Sequence, residues 1–182
     1  MKTAVYLTVG VMVLSAMVMT GRAEAATANG PYYAEPSWDQ KLDAATRFVV
    51  LLNWNSEAVL DRETGLVWEQ SPITTPVNWS LARSICNVKI LGHRQGWRLP
   101  TLQELASLID ADPANTGNPK LPPGHPFTSV PPNFSYWSST GSIDNAIGAW
   151  VVDLSNTFIG VRDKVSLRGV WCVRGGQAVD PQ

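Results

Sequence analysis

The stretch "GWRLPTLQEL", Gly96–Leu105, places a tryptophan, an arginine, a proline and a helix start within ten residues. Thr101 is a helix-capping residue type and Glu104 stands three places on, the spacing of a capping box. In that arrangement the Thr101 hydroxyl takes the N–H of Glu104, and the Glu104 carboxylate reaches back to the N–H of Thr101. Pro100, just outside, lacks a donor and fixes the direction from which the chain approaches. Leu102, Leu105, Leu108 and Ile109 then form one apolar stripe at helical spacing. Helix initiation accounts for most of the stretch and leaves Trp97 and Arg98 over. Arg98 either pairs with a carboxylate, Glu104 first among them, or faces a ligand. The pairing makes Arg98, Thr101 and Glu104 architecture; the alternative makes them a site.

Upstream lies a second helix. "NWSLARSIC" starts at Asn78, a good N-cap, and sets Trp79, Ala82, Ile85 and Cys86 on one face. Before it, "RFVVLL" (47–52), "EAVLD" (57–61) and "LVWEQ" (66–70) are short apolar runs separated by Asn, Ser and Gly clusters, a hairpin pattern. Downstream, residues 111–133 hold seven of the chain's 13 prolines. So many missing donors exclude regular structure and predict a long, stiff loop. Beyond it, "YWSST", "AWVVDL", "FIGVRDK" and "GVWCVRGG" read as four more strands. The expected fold class is α+β, with two helices, short antiparallel strands and the Pro-rich loop.

The N-terminus has a different character. Lys2, an apolar run from Ala4 to Met19 and the small residues of "AEA" (23–25) form the pattern of a secretory signal peptide, 1–25. An uncleaved anchor is the alternative, although the run is short for a membrane span. Residues 26–46 are a polar lead-in expected to be weakly ordered, 47–176 the folded domain and 177–182 a tail. Removing Lys2, Arg22 and Glu24 leaves 12 basic against 14 acidic residues. That balance argues against general nucleic-acid binding, which needs a basic footprint. The chain's two cysteines, Cys86 and Cys172, suggest a mutual disulfide in an exported protein. A free thiol pair is the other option. His93 and His125 lack the spacing of zinc ligands, so neither metal nor cofactor is expected.

Taken in order, "VLDRETGLVWEQ", the cysteine-bearing helix, "GWRLPTLQEL", the Pro-rich loop ending in "PF", "YWSST", "AWVVDL" and "WCVRGG" resemble the Lcl C-terminal domain family of bacteria. The resemblance covers residues 47–176. It implies a C-type-lectin-like topology in which the terminal strands pair around two helices and a long irregular region. That topology sets the Cys86 helix beside the Cys172 strand. It further implies a non-catalytic, adhesin-like module, periplasmic or on the cell surface, whose partner is an extracellular, sulfated polysaccharide. An envelope or appendage protein is the alternative partner.

Candidate ligand-binding residues are few. Arg162, Lys164 and Arg168 crowd one segment and would suit a polyanion, or else are a solvated strand surface. Trp137, at the end of the Pro-rich loop, would stack on a sugar ring, or else is core. No catalytic residue is expected. Ser138 and Ser139 lack the Gly-x-Ser-x-Gly setting of a strained nucleophile, and a cysteine oxidase would need both sulfurs as thiols at one site.

Overall fold

Residues 42–176 are described in the computed structural model. The expected signal peptide, residues 26–41 of the lead-in and the 177–182 tail lie outside them. The end of the lead-in is ordered, against expectation: Ala44–Arg47 form a short helix, α1, with Ala44 and Arg47 buried. Arg47 decides this. Its guanidinium donates Nε and Nη2 to both oxygens of Asp61 at 2.9 and 2.8 Å. It also reaches Glu63 at 2.8 Å and donates to the Ser107 carbonyl at 2.8 Å. A charge inside a protein must be paired this completely.

Strand β1 (Phe48–Val50) pairs antiparallel with β2 (Ala58–Asp61), and β2 with β3 (Val67–Glu69). The turn between the last two closes at Gly65, whose φ of 67° suits glycine. Next comes β4 (Ile73–Val77), a strand that the sequence pattern did not announce and that carries Pro76. Pro76 is tolerated because β4 lies at a sheet edge and its register shifts. Helix α2 (Trp79–Val88) begins as expected, with the Asn78 side chain accepting from the Leu81 N–H at 2.9 Å. Strand β5 (Trp97–Arg98) and helix α3 (Leu102–Ala106) follow. Both halves of the capping box are present in α3. This helix is shorter than its apolar stripe. After Ala106 the bonds tighten to three-residue spacing, Leu108 to Leu105 and Ile109 to Ala106, while the Ser107 hydroxyl donates to the Glu104 carbonyl.

Residues 107–134 carry neither helix nor strand, and the prolines account for this from residue 113 to residue 132. Asn115, buried, organises part of this course by donating to the Leu121 carbonyl and accepting from the Gly117 N–H. Strands β6 (Ser135–Gly141), β7 (Gly148–Asp153) and β8 (Phe158–Asp163) complete a meander. The run "GVWCVRGG" is not one strand. It divides into β9 (Arg168–Val170) and β10 (Val173–Arg174), which belong to different sheets. The chain crosses between the sheets at Trp171 and Cys172, and Cys172 is bonded there to Cys86 of α2.

The sheets have the orders β1-β2-β3-β10-β5 and β4-β9-β6-β7-β8. Pairing is antiparallel except between β6 and β9. Consecutive residues of the second sheet serve two cores. Tyr136 and Val152 join a cluster around Trp171, whose ring meets Phe127 at 5.0 Å, Tyr136 at 5.3 Å and Trp68 at 5.9 Å. Trp137 and Val151 join the other, around Trp97 and the disulfide. Runs such as "YW" and "VV" are therefore apolar on both faces, the pattern of a sheet covered on both sides. Among the described residues no helix is long and apolar enough to cross a membrane.

Candidate functional site

Arg98 is architecture. It donates to the two Glu104 oxygens at 2.7 and 2.6 Å and to the Gly175 carbonyl at 2.6 Å. The same carboxylate accepts the Thr101 N–H at 2.9 Å. Helix start, β5 and the residue after β10 are thereby held by one charge pair, a bidentate geometry that only an arginine supplies. Trp97 is buried in the second core, its indole N–H donating to the Arg94 carbonyl at 3.0 Å.

The disulfide is architecture as well. Beside it, Glu69 is buried, pairs with Lys89 just past the end of α2 and accepts the Cys172 N–H. Burial pushes the Glu69 carboxyl above its ordinary range, and Lys89 pulls the other way. Both cysteines are bonded, so neither offers a thiolate. Among the described residues, no group of three His, Cys, Asp or Glu side chains is placed to hold a metal ion.

Trp137 does not offer its ring to a ligand. It is fully buried in β6 and its indole N–H donates to the Val77 carbonyl at 2.9 Å. The loop ends before it, and the residue enters the middle of a sheet covered on both faces. The three cations are also not one cluster. Arg162 is on β8, its guanidinium 4.9 Å from the Phe158 ring. Arg168 is on β9, its guanidinium bonded to the Leu167 carbonyl. Two strands, β6 and β7, lie between them, which at sheet spacing is about 14 Å.

Lys164 has other company. Its ammonium lies 4.6 Å from the centroid of Trp79, and the Arg83 guanidinium 4.7 Å from the same ring. Trp79 is fixed by three contacts. Its indole N–H donates to the Ser138 carbonyl at 2.8 Å, its backbone N–H to the Lys164 carbonyl at 3.0 Å, and its side chain packs on the second core. A related arrangement surrounds Trp54, with Arg94 and Arg174 each 5.5 Å from the ring. Trp54 is seated against Gly92, where an added Cβ would fall 2.3 Å from the Trp54 Cβ. Trp79 thus opens α2, while Trp54 sits against the segment that follows the helix. Among the described residues, none of these four cations belongs to an ion pair.

Sequence reasoning missed both clusters. One signal was available for the first: Trp79 and Arg83 are four apart on a helix, which places them on one face. Nothing local announced Lys164 as their neighbour, because it arrives from the far end of the meander.

The family model of the Lcl C-terminal domain matches residues 57–174. No curated protein sequence matches the chain.

Proposed function

Because the chain belongs to the Lcl C-terminal domain family, matched over residues 57–174, we propose that it is an exported, non-enzymatic binding module for an anionic extracellular polysaccharide. The observation that carries this reading is Trp79 with Arg83 and Lys164. An indole face attracts cations through its quadrupole, so the ring holds two long side chains in place before any ligand arrives. Less rotamer freedom is then lost when a sulfate or carboxylate binds. Arg83 brings a planar fork suited to sulfate, and Lys164 a compact point charge. The cluster around Trp54 repeats the design beside the segment that follows α2, which suits a polymer carrying charges at intervals.

Supporting features agree with this reading. A disulfide joining distant segments suits an oxidising compartment outside the cytoplasm. First and last strands sharing one sheet, with α2, α3 and the irregular 107–134 stretch, support a C-type-lectin-like assignment. The alternative, an envelope protein-interaction domain, is favoured by the exposed apolar side chains between Ile143 and Leu167.

The test is binding to a sulfated glycosaminoglycan and to its desulfated form across ionic strength. The expected result is retention of the sulfated form at low salt, weakened as salt screens the charges. Arg83→Ala and Lys164→Ala should each weaken it, and their combination should weaken it further, leaving what the Trp54 cluster contributes. If the wild-type protein ignores the sulfated polymer at low ionic strength, this ligand class is wrong.

A further inference from the structure

The described sheets have four edges, and three are blunted. β1 has three residues and β5 two, while β4 contains Pro76 and an irregular register. The fourth edge, β8, is six residues long, free of proline and regularly paired to β7 along its whole length. Proteins ordinarily protect such an edge, because its free N–H and C=O groups are a template for another strand. Here Phe158 and Ile159 are 42% and 40% exposed. Moreover, six of the eleven exposed large apolar side chains lie between residues 143 and 167, on this strand and the loops beside it. Apolar exposure gathered in one place marks an interaction surface.

We infer that the free edge of β8 pairs antiparallel with β8 of a second copy of this chain, about a two-fold axis through Gly160. The backbone sets the phase. Asp163 faces Gly148, and the Lys164 N–H donates to the Ile147 carbonyl at 2.7 Å. Alternation from that point turns the backbone groups of Phe158, Gly160 and Arg162 toward β7, and those of Ile159, Val161 and Asp163 outward. With Gly160 on the axis, each outward Ile159 meets the outward Val161 of the second copy in a hydrogen-bonded pair. Phe158 then stands opposite Arg162, the same ring–guanidinium pairing already made within the strand at 4.9 Å. Gly160 meets Gly160 where the backbones approach most closely. Moving the axis to Arg162 would set like charges face to face, and moving it to Val161 would set Asp163 against Ile159. With the axis at Gly160 the segment "TFIGVRD" is self-complementary. A dimer of this kind joins the two five-stranded sheets into one, and doubles the number of cation clusters on the particle.

Sedimentation of the oxidised chain between about 1 µM and 1 mM tests this, since that range covers weak to moderate association. The wild-type mass should climb from one copy to two. Ile159→Lys, which puts a charge on the pairing edge, should remain at one copy throughout while keeping the wild-type near-ultraviolet circular dichroism. Arg162→Glu removes the two ring–cation contacts at an exposed position, and should weaken dimerisation roughly 5- to 30-fold. A wild-type protein that stays at one copy at the highest concentration overturns the inference and leaves the edge to a strand of another protein. Native-like Ile159→Lys that dimerises as well as wild type overturns it too. If Ile159→Lys loses its tertiary signal, Arg162→Glu decides, and unchanged dimerisation by that variant rejects the pairing.

Discussion

Single side chains in this protein divide sharply into those that hold the fold and those left free. Asp61 is completely buried, accepts two bonds from Arg47 and takes the Glu63 N–H at 3.0 Å. Asp61→Ala leaves the buried Arg47 guanidinium with only Glu63 and the Ser107 carbonyl, and should cost about 3 kcal/mol in urea unfolding. Replacing both partners, Arg47→Met with Asp61→Leu, should recover part of that loss, because the pair's own charges are gone while the Glu63 carboxylate stays. His125 makes a pH prediction. Half-buried, it packs on Phe127 at 5.8 Å, and its Nδ1 is buried with no hydrogen-bond partner among the described residues. Burial therefore holds its pKa below the ordinary 6.5. Between those two values the unfolded chain binds a proton that the folded chain refuses. Stability is full above pH 6.5 and declines as pH falls through the window, by at most about 1.4 kcal/mol per pH unit. Unfolding curves for His125→Phe should lack this component relative to wild type.

At the level of elements, the decisive junction is α2 against the crossing between β9 and β10. A helix of ten residues is marginal alone. Three ties secure it: the Asn78 cap at one end, the Lys89–Glu69 pair at the other, and the Cys86–Cys172 bond on its buried face. The bond closes a separation of 86 residues. Chain-entropy reasoning assigns such a loop about 4–5 kcal/mol. The double variant Cys86→Ser with Cys172→Ser should lose about that much in denaturant unfolding. The Arg98–Glu104 clasp lies on different elements and should survive, retaining the helical signal of α3 in the folded fraction. The same helix carries Trp79, so on the proposed function retention of a sulfated glycan should weaken together with the loss of the disulfide.

Across the whole molecule, what was legible in the linear chain was whatever depends on near neighbours. The Thr101–Glu104 box and the Asn78 cap involve residues three apart, and their chemistry specifies a helix start whatever surrounds them. Proline density alone argued against regular structure in residues 111–133. Alternation and turn residues announced β6, β7 and β8, and the order of motifs announced the family. Four features were decided only by the tertiary structure. "GVWCVRGG" looks continuous, yet it splits between two sheets because the disulfide and the Trp171 core hold its middle. Trp137 sits beside a loop in sequence, but its sheet is covered on both faces, so burial claims the ring. Arg162 and Arg168 are six positions apart in the chain and three strand spacings apart in the sheet. Lys164 and Arg83 are 81 positions apart and share one indole. Local rules fix how a segment begins and ends because its hydrogen bonds close within a turn or two. Which cations become neighbours depends on how the strands are ordered, and that order is set by long-range burial, which no short window of sequence contains.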